Sequence, residues 1–260
     1  MKNLFVALLF ASTCVLSAVE LKNNQWDKKA RPSQSDPAAL AISSKVVIYS
    51  IAAPYIPVDP AKKYCLSGKF RLAKPLAAKP GKLKFGIQTY DKNKRPILSE
   101  HTTVVNRTAT TLVSDAEYGQ RKVTVANGKL WRIMPNFSHI AFGAKDDLSD
   151  LPNRSVVAIT AIKQLPDGKA ELTLKEVLRE FHAAGSKVRL HHRLSAFLYG
   201  GALNKVLDTG FKEFSGVFTG EQHGVAHNIF RKGTAFIQVV VMLEGAGILE
   251  FKDIKFEEVP

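Results

Sequence analysis

The sequence is poor in cysteine, which limits the covalent links that could hold a fold together. It contains two cysteines, Cys14 and Cys65. Cys14 belongs to an N-terminal leader, as argued below, so the rest of the chain cannot form an internal disulfide bond. Cys65 falls in a segment with the alternation of a β-strand, and we interpret it as a small, partly buried apolar residue.

Long apolar segments are missing after the leader. The leader, residues 1–18, has a basic start at Lys2, an apolar run over residues 4–10 and small residues at its end. This combination is typical of a secretory signal peptide cleaved before Val19. No later segment reaches the roughly 18 apolar residues that a membrane-spanning helix needs. We therefore expect an exported protein that does not span a membrane, and we interpret residues 19–260 as one domain.

Acidic residues are fewer than basic ones, 23 against 37, and the formal net charge is +14. The leader carries a single charge, that of Lys2, so its removal lowers the net charge from +14 to +13. The basic residues are scattered rather than gathered in runs, which argues against nucleic acid as a partner. For an exported protein this charge indicates an acidic polysaccharide or a cell-envelope glycan as partner, or simply a basic surface.

Helical spacing is almost absent, and β-strand patterns dominate. Only residues 173–181 have helical spacing, and they fit a strand equally well. Residues 64–72 and 83–91 alternate between apolar and polar side chains. Residues 235–243 are apolar in both registers, as in a strand buried on both faces. Many short strands separated by Gly, Pro and Asn predict an all-β fold, a jelly-roll β-sandwich of two antiparallel sheets.

Several local features refine this prediction. The C-terminal strands, residues 235–243 and 248–259, are expected to form a core hairpin with a β-bulge near Lys252-Asp253. Asn127-Gly128 predicts another hairpin. Gly200-Gly201 predicts a turn. The N-terminal stretch, residues 19–44, is expected to be an irregular arm or a short edge strand.

Catalytic and zinc-binding motifs are not evident. The sequence has neither a G-x-S-x-G elbow nor a close pair of carboxylates within one strand, as a retaining glycosidase would need. His191 and His192 are neighbours in a predicted strand and point to opposite faces. His223 and His227 fall in a glycine-containing loop without an evident third ligand, so a zinc site is not predicted.

Polar and aromatic side chains on the outward faces of the predicted strands are the candidate ligand-binding residues. Tyr90 could stack on a sugar ring, and Arg189 could form a bidentate bond with an acidic group. Trp131 is included as a further aromatic candidate. The chain has only two tryptophans, Trp26 and Trp131, so a tryptophan-rich sugar platform is not indicated. The complete candidate set is Arg71, Gln88, Tyr90, Trp131, Arg189 and His191.

Three stretches carry a resemblance to a known family. They are IPVDPAKKYCLSGKFR at residues 56–71, KLKFGIQTYD at residues 82–91, and the C-terminal stretch from residue 210. Together they resemble carbohydrate-binding modules of the family 4 and 9 type, which are jelly rolls of galactose-binding-like topology. The resemblance implies a glycan ligand and a structural calcium ion held partly by the aspartate of the last strand, here Asp253. It implies no other cofactor.

Three functional hypotheses follow. The first is an exported, non-catalytic carbohydrate-binding β-sandwich that holds an extended polysaccharide across a polar sheet face. The second is a jelly-roll polysaccharide lyase or glycoside hydrolase that uses Tyr90, His191 and Arg189. The third is a structural or adhesive protein of the cell envelope.

Overall fold

The computed structural model describes residues 18–74 and 81–260. The predicted signal peptide, apart from its last residue, lies outside the described residues. Within the described ranges the regular structure is β-strand, with two short 3-10 turns at Asn23–Gln25 and Ser99–His101. No helix in these ranges is long and apolar enough to cross a membrane.

The strands are numbered in chain order. They are β1 (Ala18–Glu20), β2 (Arg31–Pro32), β3 (Leu40–Ser44), β4 (Val47–Ile51), β5 (Ile56–Pro57), β6 (Lys63–Lys74), β7 (Lys82–Tyr90), β8 (Thr110–Thr111), β9 (Lys122–Val125), β10 (Ser138–Phe142), β11 (Val156–Gln164), β12 (Ala170–Leu174), β13 (Lys187–His192), β14 (Leu198–Val206), β15 (Lys212–Phe218), β16 (Glu221–Gln222), β17 (Phe230–Arg231), β18 (Phe236–Glu244) and β19 (Gly247–Val259).

Two antiparallel sheets form a β-sandwich, which confirms the predicted fold class. The first sheet has the strand order β15-β6-β19-β3-β2, with β1 paired to β19, and the second has the order β14-β7-β18-β4, with β5 paired to β18. Their facing side chains form one hydrophobic core that includes Phe70, Phe85 and Phe251. The alternation predicted for residues 64–72 is confirmed, because every second side chain from Tyr64 to Leu72 is buried.

A third sheet, which the sequence did not reveal as separate, is formed by the chain between β7 and β14. Its strand order is β8-β13-β10-β11-β12-β9. It has its own apolar cluster around Trp131, Phe142 and Leu172. The described part of the chain therefore contains two large hydrophobic cores, and a polar layer lies between the third sheet and the sandwich.

Strand β18 is the centre of the second sheet. All its residues from Ile237 to Leu243 are at most 9% exposed, so the predicted burial on both faces is confirmed. The predicted core hairpin is wrong, because β18 pairs with β7 and β4 whereas β19 pairs with β6 and β3. The turn between β18 and β19 thus passes from one sheet to the other. The predicted bulge is confirmed by a register shift between Lys252 and Lys255 and by a φ of 54° at Asp253.

Two glycine-based predictions are also wrong. Asn127-Gly128 does not join a hairpin, because β9 pairs with the distant β12. A Cβ on Gly128 would lie 2.2 Å from the Cβ of Ala170, so this glycine allows the chain to pass close to β12. Gly200 and Gly201 lie within β14 rather than in a turn.

Two further segments differ from the expectations in detail. The stretch 173–181 contributes only the end of β12 and contains no helix. The N-terminal arm is more regular than expected, because its strand β3 lies between β19 and β2 in the first sheet. Backbone hydrogen bonding to β19 therefore fixes a segment whose own sequence has no period.

Candidate functional site

The six predicted ligand-binding residues do not converge on one surface. Gln88 and Tyr90 lie on β7 in the second sheet, and Arg71 lies on β6 in the first sheet. Arg189 and His191 lie on β13 in the third sheet, and Trp131 lies in the core of that sheet.

Arg189 and His191 face away from the apolar core, as predicted, but they are buried. Arg189 is 2% exposed and His191 0% exposed. The Nε of Arg189 donates to Nε2 of His191 at 2.9 Å, and its Nη2 donates to the carboxylate of Asp150 at 2.5 Å. Nδ1 of His191 donates to the carbonyl oxygen of Glu100 at 2.8 Å. Both side chains are therefore occupied by contacts within the fold, because Asp150 and Glu100 belong to segments that cover this face.

These side chains belong to a polar layer between the third sheet and the sandwich. The layer continues through Arg154, which donates to Asp91 at 2.8 Å and approaches His101 at 3.1 Å. Burial lowers the pKa of His191 to about 4 and that of His101 to about 4. Both imidazoles are consequently neutral near pH 7, and the layer joins the two parts of the fold through hydrogen bonds and ion pairs.

The side chains of Trp131 and Arg71 also contact other residues of the fold. Trp131 is 0% exposed, and its Nε1 donates to the carbonyl oxygen of Thr108 at 3.0 Å, so it cannot stack on a sugar. The Nε of Arg71 donates to Glu250 at 2.6 Å, and its guanidinium lies 4.3 Å from the ring centre of Phe211. Arg71 therefore stabilises the outer face of the first sheet, on the opposite side of the sandwich from Gln88.

Asp253, the predicted calcium ligand, lies in the exposed bulge of β19. Its carboxylate forms an ion pair with Lys69 at 2.9 Å. No group of three or more His, Cys, Asp or Glu residues within 18–74 and 81–260 could hold a metal ion. The surroundings of Asp253 therefore give no support to the calcium prediction.

The outer face of the second sheet carries the strongest candidate site, and we name it the aromatic face. Tyr49, Met242 and Lys84 lie opposite one another on the adjacent strands β4, β18 and β7. Phe197 and Tyr199 pack against Met242 on this face. The ring centres of Tyr49 and Phe197 are 5.3 Å apart, and Tyr49 remains 38% exposed.

A second aromatic group lies at the other end of the same face. Tyr90 and Phe236 are paired on β7 and β18, and Tyr55 packs edge-on against Tyr90 with ring centres 4.9 Å apart. Tyr90 is only 6% exposed, and its hydroxyl donates to Gln238 at 2.5 Å. Tyr90 therefore offers little ring surface to a ligand, whereas Tyr55 is 38% exposed.

Gln88 lies between the two aromatic groups. It is half-buried and faces Gln238 across the strand pair. The side chain of Gln238 is occupied, because it accepts from Tyr90 and donates to the carbonyl oxygen of Ala53 at 2.9 Å. The side-chain amide of Gln88 has no hydrogen-bond partner in the described part of the chain. It is therefore available to a ligand as both donor and acceptor.

Lysine side chains give the aromatic face a positive potential. The Nζ of Lys29 lies 4.0 Å from the ring centre of Tyr49, and that of Lys94 lies 5.1 Å from the ring centre of Tyr55. Lys84 pairs with Glu244 at 2.7 Å, and this ion pair lowers the pKa of Glu244. The face combines exposed rings, a free amide and cations, which are the groups that bind sugar rings, hydroxyls and acidic substituents.

Sequence reasoning missed Tyr49 and Tyr55 for different reasons. Tyr49 lies in the segment VVIYSI, which is apolar in both registers except at Ser50, so no alternation indicates that Tyr49 faces outward. Tyr55 lies in a stretch interrupted by Pro54 and Pro57, where no alternation exists to indicate a face.

Comparison with known proteins adds no family to these observations. No protein-family model matches the chain, and no curated protein matches it either. The resemblance to carbohydrate-binding modules therefore depends on the three sequence stretches alone, and a functional proposal must be argued from the aromatic face.

Proposed function

We propose that the protein is an exported, non-catalytic glycan-binding protein whose aromatic face holds an extended oligosaccharide. The observation that carries the proposal is the pair of exposed tyrosines, Tyr49 and Tyr55, at the two ends of one sheet face, with the unpartnered amide of Gln88 between them. Tyrosine rings offer a rigid apolar surface against which the C–H face of a pyranose ring packs. A free amide binds the hydroxyls at the ring edge.

The size of the face favours a ligand of several sugar rings. Met242 in the first aromatic group and Phe236 in the second are six residues apart on β18. At ~3.3 Å per residue the two groups are separated by roughly 20 Å along the strand. A single sugar ring would contact only one group, whereas an oligosaccharide contacts both tyrosines and Gln88 together.

The charge of the face favours anionic glycans among these ligands. Lys29, Lys84 and Lys94 surround the rings, and the whole chain has a formal net charge of +14. Attraction between exposed charges is screened over ~8 Å at physiological ionic strength. We therefore expect binding to weaken as the salt concentration rises.

The enzyme hypothesis assigned roles to Tyr90, His191 and Arg189. The contacts of these three residues favour a binding function over catalysis. Burial raises the pKa of Tyr90 to about 12, so its hydroxyl does not ionise near neutral pH. Both ring nitrogens of His191 are engaged in hydrogen bonds, and Arg189 is ion-paired with Asp150. These three side chains are not assembled around an open space in which a substrate could react.

A glycan array at low salt, followed by calorimetric titration of the tightest ligand, tests the proposal. We expect Tyr49→Ala, Tyr55→Ala and Gln88→Ala each to weaken binding by roughly 1 kcal/mol, about fivefold, with little change in melting temperature. Tyr118→Ala is the matched control, because Tyr118 is 75% exposed in the loop between β8 and β9.

Two outcomes would count against the proposal. If the Tyr49 and Tyr55 variants bind as tightly as the Tyr118 control, the glycan site lies elsewhere. If no glycan binds at low salt, a structural or adhesive role in the cell envelope becomes the better explanation.

A further inference from the structure

A cleft of about 390 Å³ lies at the edge of the polar layer, where the third sheet meets the 3-10 turn Ser99–His101. It shares no lining residue with the aromatic face. Its volume falls within the ~300–1,000 Å³ range of small-molecule sites. Buried Glu100 and His139 line it together with the exposed Lys175 and Arg193.

His139 offers a hydrogen-bond acceptor to this cleft. The residue is 7% exposed, and its Nδ1 lies 3.0 Å from the carbonyl oxygen of Phe137. Because a carbonyl oxygen can only accept, Nδ1 carries the hydrogen, and Nε2 of the neutral ring is an acceptor. Burial lowers the pKa of His139, which keeps the ring neutral near pH 7. Nε2 has no hydrogen-bond partner within the described residues.

Glu100 offers a second acceptor group beside it. Its side chain is 9% exposed, and its nearest partners are distant, with Ser99 Oγ at 3.5 Å and Arg193 Nε at 3.8 Å. A carboxylate has about four acceptor positions, and leaving them unsatisfied in a buried place is costly. The backbone is fixed at this point, because the Glu100 carbonyl oxygen accepts the hydrogen bond from His191. The carboxylate is thus held in the cleft with free hydrogen-bonding capacity.

The rim of the cleft supplies cations. Arg193 is 60% exposed, and its one ion pair within residues 18–74 and 81–260 is the long contact to Glu100. Lys175 is exposed, is close enough to lower the pKa of His139, and has no side-chain partner among the described residues. Arg154 also lines the cleft, but its Nη2 is occupied by Asp91 and its Nη1 by the carbonyl oxygen of Pro96, while its buried Nε has no partner among the described residues. Of the other charged lining residues, Glu176 pairs with Arg179 at 3.4 Å, and Glu180 accepts from Ser155 Oγ at 3.4 Å. The cleft therefore offers a ligand two buried acceptors and the cations of Arg193 and Lys175.

This arrangement selects a class of ligand. Two acceptors require a ligand with at least two hydrogen-bond donors, and hydroxyl groups satisfy this requirement. The lining has four basic side chains, Arg154, Lys175, Arg179 and Arg193, and three acidic ones, Glu100, Glu176 and Glu180. This small basic excess disfavours a cationic ligand, so we take the donors to be neutral hydroxyl groups. An acidic group on the same molecule would complement the cations. We propose that the cleft is a second ligand site that binds a sugar acid of the uronic type. In it, two sugar hydroxyls donate to Nε2 of His139 and to the Glu100 carboxylate, and the ligand carboxylate pairs with Arg193 and Lys175.

Calorimetric titration at low salt tests this site. D-glucuronate is compared with glucose, and D-galacturonate with galactose, so that each acid is measured beside its neutral counterpart. We expect saturable binding of at least one uronate, and at least tenfold weaker binding of its neutral counterpart. Two variants are chosen to disturb the fold little: Glu100→Gln preserves the shape of the side chain, and Arg193→Ala changes an exposed residue. Each should weaken uronate binding at least tenfold. Tyr55→Ala on the aromatic face should leave it unchanged, which separates this site from the proposed glycan face.

Melting curves accompany each variant, so that a loss of binding is not confused with unfolding. If Glu100→Gln destabilises the protein, the test depends on Arg193→Ala, which replaces an exposed residue. The inference is overturned if neither uronate binds, if the neutral sugar binds equally well, or if folded Arg193→Ala binds as the unmodified protein does. Uronate binding that depends on Tyr55 but not on Arg193 would also overturn it and would move the acidic sugar to the aromatic face.

Discussion

Replacing Val239 by threonine tests whether β18 is the dry centre of the sandwich. Val239 is 0% exposed and lies opposite Ile87 on β7, within the main apolar cluster. Threonine keeps the shape and the strand preference of valine but places a hydroxyl among apolar atoms. An unsatisfied buried hydroxyl costs about 1–3 kcal/mol, and the lost methyl burial adds ~0.8 kcal/mol. We expect a loss of roughly 2–4 kcal/mol, or about 5–10 °C in melting temperature for a chain of this size.

The assay is thermal unfolding, with urea unfolding as a second measure of the free energy of unfolding. Val217→Thr in β15 is the matched control, since Val217 is 44% exposed in a strand of the first sheet. We expect this exposed substitution to stay within ±0.5 kcal/mol. If Val239→Thr is no more destabilising than Val217→Thr, the face of β18 that carries Val239 is not in a water-free core.

Three more predictions follow from the polar layer and the bulge. Asp150→Ala leaves the buried guanidinium of Arg189 without its ion-pair partner and should lower the free energy of unfolding by about 3–5 kcal/mol. Asp146→Ala breaks an exposed ion pair and should lower it by under ~1 kcal/mol in the same urea assay. Burial lowers the pKa of His191 from 6.5 to about 4, so the unfolded chain takes up a proton that the folded chain does not. Up to roughly 3 kcal/mol of stability should be lost as the pH falls from 6.5 to 4, and a constant melting temperature over this interval would refute that role. Because the carboxylate of Asp253 is paired with a lysine, millimolar Ca²⁺ or EDTA should leave the melting temperature unchanged. A rise with Ca²⁺ that Asp253→Asn abolishes would support the calcium prediction instead.

The strands and their buried faces could be predicted because a strand's side chains alternate whatever its neighbours are. The alternation over residues 64–72 corresponds to the burial observed on β6. On β7 the inward register is buried as predicted, but Gly86 and Tyr90 of the other register are buried as well. The doubly apolar run over residues 235–243 likewise identified β18 as buried on both faces. Each of these predictions depends on local geometry alone.

Sheet membership and covering contacts could not be predicted, because they depend on distant parts of the chain. β18 and β19 are neighbours in sequence, yet they pair with strands far from each other. Arg189 and His191 have the outward register of solvent-facing residues. They are nevertheless buried, because the segments that carry Asp150 and Glu100 fold over them. A polar strand face in a sequence indicates which side is not apolar, and does not indicate what covers that side.

The candidate site was therefore predicted only in part. Gln88 was correctly placed on an outward face with a free side chain, whereas its neighbour Tyr90 is covered by Tyr55. The cleft was not predicted at all. Glu100 and His139 are far apart in the sequence, and the third sheet brings them together.

Protection of individual tyrosines from hydroxyl radicals tests the glycan-binding proposal most directly. The protein is oxidised with and without the tightest-binding oligosaccharide, and the modification of each tyrosine is measured by mass spectrometry. Tyr49, Tyr55 and Tyr118 are 38%, 38% and 75% exposed in the free protein. We predict that the oligosaccharide protects Tyr49 and Tyr55 and leaves Tyr118 as reactive as before. Equal modification of Tyr49 and Tyr55 with and without a bound glycan would contradict the assignment of the aromatic face as the glycan site.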